Sequence, residues 1–421
     1  MRWLLTSWGS RGDLHPFLAL GMGLLARGHK VTLVGNPDWE AETRAAGLRF
    51  VSSGEASHSD IILRNPEILS TSWGGLTSLR AMIREAIAPG FDGLMAALLA
   101  EAPGHDVLVA HHFAFPAPAV AELTGIPWAT VSLAPGVVPS AHTLPGPQLA
   151  RAREGALARQ LHRFIWTVGQ GISQVAVDPE INRLRARHGL KPVRRALFDV
   201  HSPVLNLQLY SETFAQRPPD WSPEKRLTGF CFYDPPDQPA LAPEVEAFLQ
   251  AGEVPVLFTL GSVTVQTPGA FYQSAAEALK TLGLRGLLLI GSEANRPAAL
   301  PDSILAHGAA PFGLLMPRVR AVAHQCGIGT LSHTLRAGVP SLACPFAFDQ
   351  PNNARRLEGL GVAELLRRSE HTPRRIGRAL ERLLAGQAPA EARRLGEIIR
   401  AEDGVGQACG MLEEAFPRAK S

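Results

Sequence analysis

One segment of the sequence combines a glycine-rich turn with a helix start. His324–Thr330 follows an apolar, strand-like run, and a helix is predicted to begin near Gly329. Free backbone amides at a helix N-terminus attract anions, and glycine lets a diphosphate approach the main chain closely. Thr330 can add a hydroxyl donor and His324 a ring nitrogen. The spacing alone favours a phosphate-binding turn and a plain strand-to-helix turn equally.

Two polar residues follow the next predicted strand. Asp349 and Gln350 come just after the strand-like run Leu342–Phe346. A carboxylate beside an amide suits bidentate bonds to sugar hydroxyls. Asp is also a good N-cap, and a helix is predicted to start near Pro351. The pair therefore predicts either a sugar site or an ordinary helix cap, and taken alone the cap is the better interpretation.

Asp13 follows the turn Gly9–Gly12 at the end of the first predicted strand. A carboxylate there can act as a general base, or it can cap the helix whose first turn we place at Pro16. The spacing Gly9-x-x-Gly12 is not the GxGxxG of nicotinamide dinucleotide sites. We therefore predict no such cofactor.

The sequence lacks the motifs that mark several other kinds of chemistry. The sequence has no HExxH, no GxSxG and no Asp-x-Asp, which disfavours a zinc site, an α/β-hydrolase and a simple carboxylate site for a divalent ion. A reaction without metal is the better prediction. The scattered histidines are expected to be structural or to lie on the surface; they are His15, His111, His112 and His333.

The amino-acid composition further narrows the class of protein. The 421 residues are 46% apolar and 19% charged, with 41 basic against 38 acidic residues. That balance disfavours nucleic acid as a partner. Four cysteines without a CxxC pair indicate free thiols in a reducing cytoplasm. No apolar run is long enough to cross a bilayer.

Apolar runs alternating with helical stretches predict parallel α/β sheets. The pattern restarts after a proline-rich stretch, 234–243, which we predict to be a linker. The expected organisation is a Rossmann-like domain at 1–233, a second one at 244–400, and a C-terminal helix in 401–421 packing back on the first domain. Tandem α/β domains would face each other across a ligand cleft.

A basic amphipathic stretch runs from Arg151 to Val168. Leu157, Leu161 and Phe164 fall on one predicted helical face, with arginines around them. Such a helix can lie on a membrane surface or cover an apolar channel, which would bring the protein to the inner membrane surface. A surface helix packing on its own domain is the more ordinary interpretation.

With these motifs placed, the chain resembles the family 1 glycosyltransferases of the two-domain GT-B fold. Gly9–Pro16 is similar to that family's opening loop, and His324–Thr330 with Arg336–Pro340 and Asp349–Gln350 is similar to its donor-binding signature. The resemblance covers nearly the whole chain. Within the family it is greatest to the bacterial rhamnosyltransferase branch that makes rhamnolipids.

The resemblance implies a role for each matching position. Asp13 corresponds to the catalytic base, and Asp349 and Gln350 correspond to sugar-hydroxyl ligands. Ala310 and Pro311 fall in the nucleoside region. The diphosphate binders correspond to Ser262, His324, Gly327, Ile328, Gly329 and Thr330. The family inverts the anomeric centre and needs neither metal nor cofactor.

The implied reaction moves a hexose, rhamnose or glucose, from a nucleoside diphosphate sugar (UDP or dTDP) to a hydroxyl of an apolar, lipid-like acceptor. Aromatic residues of the first domain are expected to supply the acceptor surface; they are Trp73, Phe91, Phe113, Phe115, Trp128 and Trp166.

The signature departs from the family at two places. Gln325 and Cys326 replace the second His and first Gly of the usual His-His-Gly-Gly, and Ala309 stands where relatives often have an aromatic. The altered His324–Cys326 segment leaves a non-catalytic donor-binding subunit open as an alternative. A nucleotide-sugar 2-epimerase is a second alternative, since such enzymes share the two-domain fold.

Overall fold

Short apolar runs form buried parallel strands throughout the chain. The structure, a computed structural model, describes residues 1–54, 80, 82–144, 155–235 and 237–418. Within these residues the strands are β1 (Arg2–Thr6), β2 (Lys30–Gly35), β3 (Arg49–Ser52), β4 (Val107–His111), β5 (Trp128–Ser132), β6 (Asn206–Gln208), β7 (Lys225–Leu227), β8 (Val256–Thr259), β9 (Gly286–Leu289), β10 (Ile304–His307), β11 (Ala321–His324), β12 (Ser341–Ala343) and β13 (Ala363–Leu365).

Helices connect these strands. Among the described residues they are α1 (Arg11–Ala26), α2 (Glu40–Ala45), α3 (Phe91–Glu101), α4 (Ala117–Thr124), α5 (Ala156–Arg187), α6 (Ala196–Asp199), α7 (Pro243–Gln250), α8 (Gly261–Thr264), α9 (Phe271–Leu282), α10 (Phe312–Leu315), α11 (Ile328–Ala337), α12 (Gln350–Gly359), α13 (Pro373–Ala385), α14 (Ala388–Ala401) and α15 (Gly404–Ala415). In this part of the chain, no helix is long and apolar enough to cross a membrane.

The chain divides into two units, each built on one parallel sheet. Met1–Tyr233 with Asp403–Ser421 forms the first, and Asp234–Glu402 forms the second. In the described residues, the first sheet has the order β3-β2-β1-β4-β5-β6-β7 and the second β10-β9-β8-β11-β12-β13. This confirms the predicted α/β class with two Rossmann-like domains. Chain order reverses direction between β1 and β4 and between β8 and β11, where ligands usually bind in such sheets.

The first helix begins earlier than its proline suggests. We placed the first turn at Pro16, but α1 starts at Arg11 and contains Pro16. Ser10 caps the helix through a bond from the Gly12 amide, and the Asp13 side chain bonds back to the Ser10 amide. This capping box satisfies amides that would otherwise lack partners, while Pro16 leaves one main-chain bond of the helix unmade.

The predicted linker and the C-terminal segment each belong to one unit. Asp234, the first residue of the stretch 234–243, forms an ion pair with Arg336 inside the second unit. α15 packs on α1 in the first unit, where Glu413 accepts bonds from Arg27 and His29. The second unit is therefore inserted, in chain order, between two parts of the first.

The aromatic residues expected to line an acceptor surface lie mostly in the core. Phe91, Phe115 and Trp166 are almost fully buried, and Phe91 packs edge-on against Phe115. A cavity beside Phe115 and Trp128 has a volume of about 10 Å³, which is enough for about one water molecule. The buried side chains stabilise the unit, whereas Phe113 and Trp128 are partly exposed, and the acceptor surface stays a prediction. Trp73, Arg151 and Arg153 lie outside the described residues.

Candidate functional site

In the first unit, Asp13 lies at the carboxyl end of β1, in the first turn of α1. Its Oδ2 accepts bonds from the Ser10 amide at 2.6 Å and the Ser10 hydroxyl at 3.0 Å. The side chain is 24% exposed. A Cβ at Gly9 would come within 2.2 Å of Oδ2, so the turn requires glycine there. Asp13 thus completes the cap from the N3 position, while Ser10 is the N-cap.

The other oxygen of Asp13 has a different environment. Its Oδ1 lies 3.9 Å from Nε2 of His111, at the end of the neighbouring strand β4, which is beyond hydrogen-bond length. Burial raises the pKa of Asp13 to about 6, against the opposing effect of the Ser10 bonds. Burial also lowers the pKa of His111 to about 3, so its ring is neutral. At neutral pH the site holds a mostly ionised carboxylate whose Oδ1 can take a proton.

His111 is one of several imidazoles that burial keeps neutral. Burial lowers the pKa of His201 to about 4 and that of His112 well below its usual value. His15 is different, since its ring is one-third exposed and contacts Glu42 at 2.8 Å. No group of three or more His, Cys, Asp or Glu suited to a metal ion occurs among the described residues.

These neutral histidines predict that acid destabilises the folded chain. Below a pH of about 6.5 an unfolded chain protonates its histidines, whereas the buried rings of His111 and His201 bind protons only near pH 3 to 4, and the pKa of His112 lies well below its usual value. The same holds in the second unit for His324 and His371. Asp13 has the opposite effect on stability. Because its pKa is raised from 3.8 to about 6, the folded chain binds a proton between these pH values that the unfolded chain does not, and this offsets the effect of one histidine. We expect the free energy of unfolding to fall by on the order of a few kcal/mol between pH 6.5 and 4.

Urea unfolding followed by circular dichroism checks this prediction. The midpoint should be clearly lower at pH 5 than at pH 7, and replacing His112 by Phe should reduce the difference. Equal midpoints at the two pH values would contradict it.

In the second unit, the turns after β8 and β11 meet. These strands are neighbours in register, with Thr259 opposite His324. The Gln325 side chain reaches the turn after β8, because a Cβ on Gly261 would lie 2.3 Å from Gln325 Nε2. Nε2 is also 3.4 Å from the Thr330 hydroxyl, and Oε1 is buried without a hydrogen-bond partner. The turns thus enclose an unsatisfied carboxamide, with Ser262 exposed on α8.

The N-terminus of α11 completes this group. Gly327 occupies the N-cap position and offers no side-chain bond to the first amides of the helix. Gly327, Ile328 and Gly329 are partly exposed, and Thr330 is buried beside Gln325. Uncapped amides of a ten-residue helix, together with its dipole, form a place for an anion. The structure therefore brings the predicted diphosphate residues of this turn together with Ser262.

The His324 side chain does not lie with the other predicted diphosphate residues. The side chain is fully buried, with Nε2 3.0 Å from the Ser341 hydroxyl and Nδ1 accepting a bond from the Cys326 amide at 3.1 Å. Burial lowers the pKa of His324 to about 3. Because both ring nitrogens have partners inside the unit, the predicted role of this side chain as a direct phosphate ligand is wrong. It instead fixes the backbone of the turn.

Asp349 is linked to the same turn through Asn353. Asn353 Nδ2 donates to Asp349 Oδ2 at 2.7 Å and to the Cys326 carbonyl at 3.0 Å, and Asn353 is buried. Asp349 holds the N-cap position of α12 but makes no capping bond. Cys326 has φ of 67°, a conformation unusual for a residue other than glycine, so the Asn353 bond supports a strained turn. Asn353 couples the carboxylate to that turn.

Gln350 is occupied by its own loop. Its Oε1 accepts bonds from the amides of Phe346 and Ala347 at 2.9 and 3.1 Å, and its Nε2 donates to Thr264 at 3.2 Å. The residue is 5% exposed. These bonds close the loop that presents Asp349, and only the second hydrogen of Nε2 remains for any other acceptor.

We predict that replacing Asn353 by Leu disturbs this site. The change keeps the side-chain size but leaves the Asp349 carboxylate and the Cys326 carbonyl without these bonds, at a cost of about 1–3 kcal/mol. Urea unfolding should show this loss, and calorimetry should show weaker donor binding.

The Gln273→Leu change is the matched control. Gln273 donates to Glu277 on the exposed face of α9, so its loss should cost about 0.5 kcal/mol and leave donor binding unchanged. Equal effects of the two changes would contradict the role of Asn353.

Ala310 and Pro311 follow β10, at the outer edge of the second sheet. Two strands, β9 and β8, separate β10 from β11. Both residues are partly exposed and precede α10. Their predicted contact with a nucleoside stays a prediction, as does the contact of Asp349 with a sugar.

Asn353 and His111 were not predicted as site residues, although the sequence carries signals for both, and Gln325 was predicted only as a departure within the donor signature. Asn353 lies four residues after Asp349, and positions i and i+4 share one face of a helix. His111 ends a strand beside β1, so it lies at the same sheet edge as Asp13. The unsatisfied oxygen of Gln325 has no sequence signal.

Comparison with known proteins identifies the family. Residues 3–142 match the glycosyltransferase family 28 N-terminal domain, and residues 288–402 match the erythromycin biosynthesis protein CIII-like C-terminal domain. The O-mycaminosyltylonolide 6-deoxyallosyltransferase of Streptomyces fradiae is 32% identical over 98% of this chain and 97% of its own. The chain belongs to this glycosyltransferase family. It is a nucleotide-sugar-dependent glycosyltransferase.

The glycosyltransferase is similar to longer proteins and to solved structures as well. The sterol 3-beta-glucosyltransferase of Aspergillus terreus is 28% identical over 98% of this chain, which spans 30% of that relative's length. The kitacinnamycin glycosyltransferase structure superposes with a TM-score of 0.73 at 23% identity, covering 99% of each chain. The spinosyn rhamnosyltransferase SpnG, solved with thymidine diphosphate, gives 0.69 at 20% identity, covering 98% of this chain and all of SpnG. These structures share the GT-B fold.

Proposed function

We propose that the glycosyltransferase moves a 6-deoxyhexose from a dTDP-sugar to a hydroxyl of an apolar, lipid-like acceptor, with inversion and without a metal ion. The observation that carries the proposal is the group formed by the uncapped N-terminus of α11 and the unsatisfied Gln325 carboxamide. It offers neutral hydrogen-bond donors where a diphosphate would develop charge.

The Gln325 carboxamide supplies a further donor. Its Nε2 lies beside Gly261 and Gly327, directs one hydrogen to the Thr330 hydroxyl and keeps a second one for a phosphate oxygen. The amides of Ile328, Gly329 and Thr330 and the hydroxyl of Ser262 add further donors. Bonds to a charged oxygen contribute about 1.5–3 kcal/mol each, so this group can hold the leaving diphosphate without a cation.

Asp13 is the proposed general base. Oδ2 is held by Ser10, so Oδ1 takes the proton of the acceptor hydroxyl. The acceptor oxygen forms a bond to the anomeric carbon from the face opposite the diphosphate, and the carbon–oxygen bond to the diphosphate breaks with its electron pair. A base with a pKa near 6 is mostly ionised at neutral pH and still accepts a proton readily.

The sugar and the nucleobase of the donor are assigned from the sequence resemblance and from the names of similar proteins. Asp349 would accept sugar hydroxyls, Gln350 would add the free hydrogen of Nε2, and Ala310 and Pro311 would contact the nucleoside. A dTDP-linked 6-deoxysugar is favoured by the names of two similar proteins, a 6-deoxyallosyltransferase and a rhamnosyltransferase solved with thymidine diphosphate. The sequence resemblance to the rhamnolipid branch favours a hydroxy-fatty-acid acceptor, whereas the sterol relatives favour a sterol.

Product analysis tests the proposal. The protein is incubated with dTDP-rhamnose or UDP-glucose and with a hydroxy-fatty acid, a sterol or a macrolide, and the products are separated by mass spectrometry. A new glycoside of inverted configuration, formed in excess chelator, supports the proposal. An altered sugar nucleotide without acceptor indicates the epimerase, and bound but unreacted donor indicates the auxiliary subunit.

A further inference from the structure

The helix α5 exposes a continuous apolar stripe. Six large side chains, between 45% and 81% exposed, recur every three or four residues; they are Leu157, Leu161, Phe164, Val168, Ile172 and Val175. They stay within roughly 80° of arc over a length of roughly 27 Å, because an α-helix turns about 100° and rises 1.5 Å per residue. The opposite face, including His162 and Trp166, is buried in the first unit. This stripe therefore faces away from the domain that carries it.

We propose that the α5 stripe pairs with the same stripe of a second copy, in antiparallel orientation. The spacing matches itself when reversed about a point level with Trp166. Leu157 then faces Val175 of the second copy, Leu161 faces Ile172, and Phe164 faces Val168. Each pair joins a Leu or Phe side chain to a β-branched one, and a two-fold axis makes every contact twice.

The charge pattern favours a second copy over a membrane. Between Ala156 and Val177 the charged side chains are Arg159 and Arg163, which lie roughly 180° and 140° away from the middle of the stripe. The rim consists of uncharged residues, Gln160, Ile165, Thr167 and Gly171. A helix bound to anionic lipid carries its basic residues on the polar face that borders its apolar face, whereas the residues that border this stripe are uncharged. A neutral stripe can instead meet its own copy without repulsion.

The size of the stripe suits a dimer. Six such side chains offer roughly 400–600 Å² of apolar surface, more than half of the ~800 Å² that each partner buries in a standard interface. The uncharged rim can supply the rest. Exposed apolar patches of this size on a single chain commonly mark an interaction surface.

Charge-swap variants of the full chain test the pairing. The masses of wild type, Phe164→Lys and Val168→Glu are measured by analytical ultracentrifugation at micromolar concentration. The wild type should be a dimer and each variant a monomer. Mixing the two variants should restore a dimer, since Lys at 164 then faces Glu at 168 of the other chain. Leu157→Lys with Val175→Glu forms a second such pair.

Analytical ultracentrifugation of two control variants shows whether the loss of the dimer is specific to α5. Leu123→Lys and Val204→Glu place the same charges on exposed side chains of the first unit outside α5, and both should stay dimeric. Circular dichroism should be unchanged in all variants. A monomeric wild type, a dimer that survives both charges, or no recovery on mixing overturns the proposal. Binding of a monomeric wild type to phosphatidylglycerol vesicles, lost in Val168→Glu, would assign the stripe to a lipid surface instead and also overturn it.

Discussion

Replacing Asp13 by Asn should lower kcat by about 10²- to 10⁴-fold while donor binding stays unchanged. The Asn side chain keeps the size and one carbonyl oxygen, which can still accept the two bonds from Ser10. The helix cap therefore persists, and only the capacity to take a proton is lost. Initial rates of glycoside formation measure the first effect, and calorimetry with the nucleotide sugar measures the second.

Two comparisons separate chemistry from folding. Asp13→Ala removes the cap as well as the base, so it should also cost about 1 kcal/mol of stability. In the wild type, kcat/KM should fall as the pH drops through about 6, where the carboxyl protonates. Near-normal turnover of the Asn variant would show that Asp13 is not the base.

The second large effect is expected at Gly261. Gly261→Ala should weaken donor binding by about 10- to 100-fold, the loss expected when a hydrogen bond to a charged oxygen disappears. The new Cβ would lie 2.3 Å from Gln325 Nε2 and 3.4 Å from the Thr330 hydroxyl. Because the end of a glutamine side chain moves easily, the protein should stay folded, and Gln325 should leave the diphosphate group.

Gly269 offers a matched control. Gly261 and Gly269 have φ of +65° and +56°, but nothing lies within 4 Å of a Cβ at Gly269. Both Ala variants should lose about 1–2 kcal/mol of stability from the left-handed backbone, and only Gly261→Ala should lose donor affinity. Equal dissociation constants for the donor in the two variants would contradict the role given to Gln325.

The central strands were predictable because they are buried on both faces. Continuous apolar runs such as those of β1, β4 and β8 indicate strands buried in a parallel sheet. The edge strands β3, β7, β10 and β13 were not predicted, and β7 and β13 each have three partly buried residues and little apolar character. Their pairing depends on the neighbouring strand and not on their own sequence.

The sequence predicts which turns carry the site better than it predicts what each side chain in those turns contacts. The sequence places Asp13, Gly327–Thr330 and Asp349 at strand ends, as the structure shows. It does not reveal that His324 turns inward to Ser341 or that Gln350 closes its own loop. Those outcomes depend on which polar groups burial leaves in need of a partner.

The return of α15 to the first unit has a consequence for folding. Asp234–Glu402 is one uninterrupted segment, so the second unit forms from parts of the chain that follow one another directly. The first unit needs Glu413 and its neighbours to reach Arg27 and His29 from the far side of that segment. Asp13 therefore belongs to the unit whose closure costs more chain entropy.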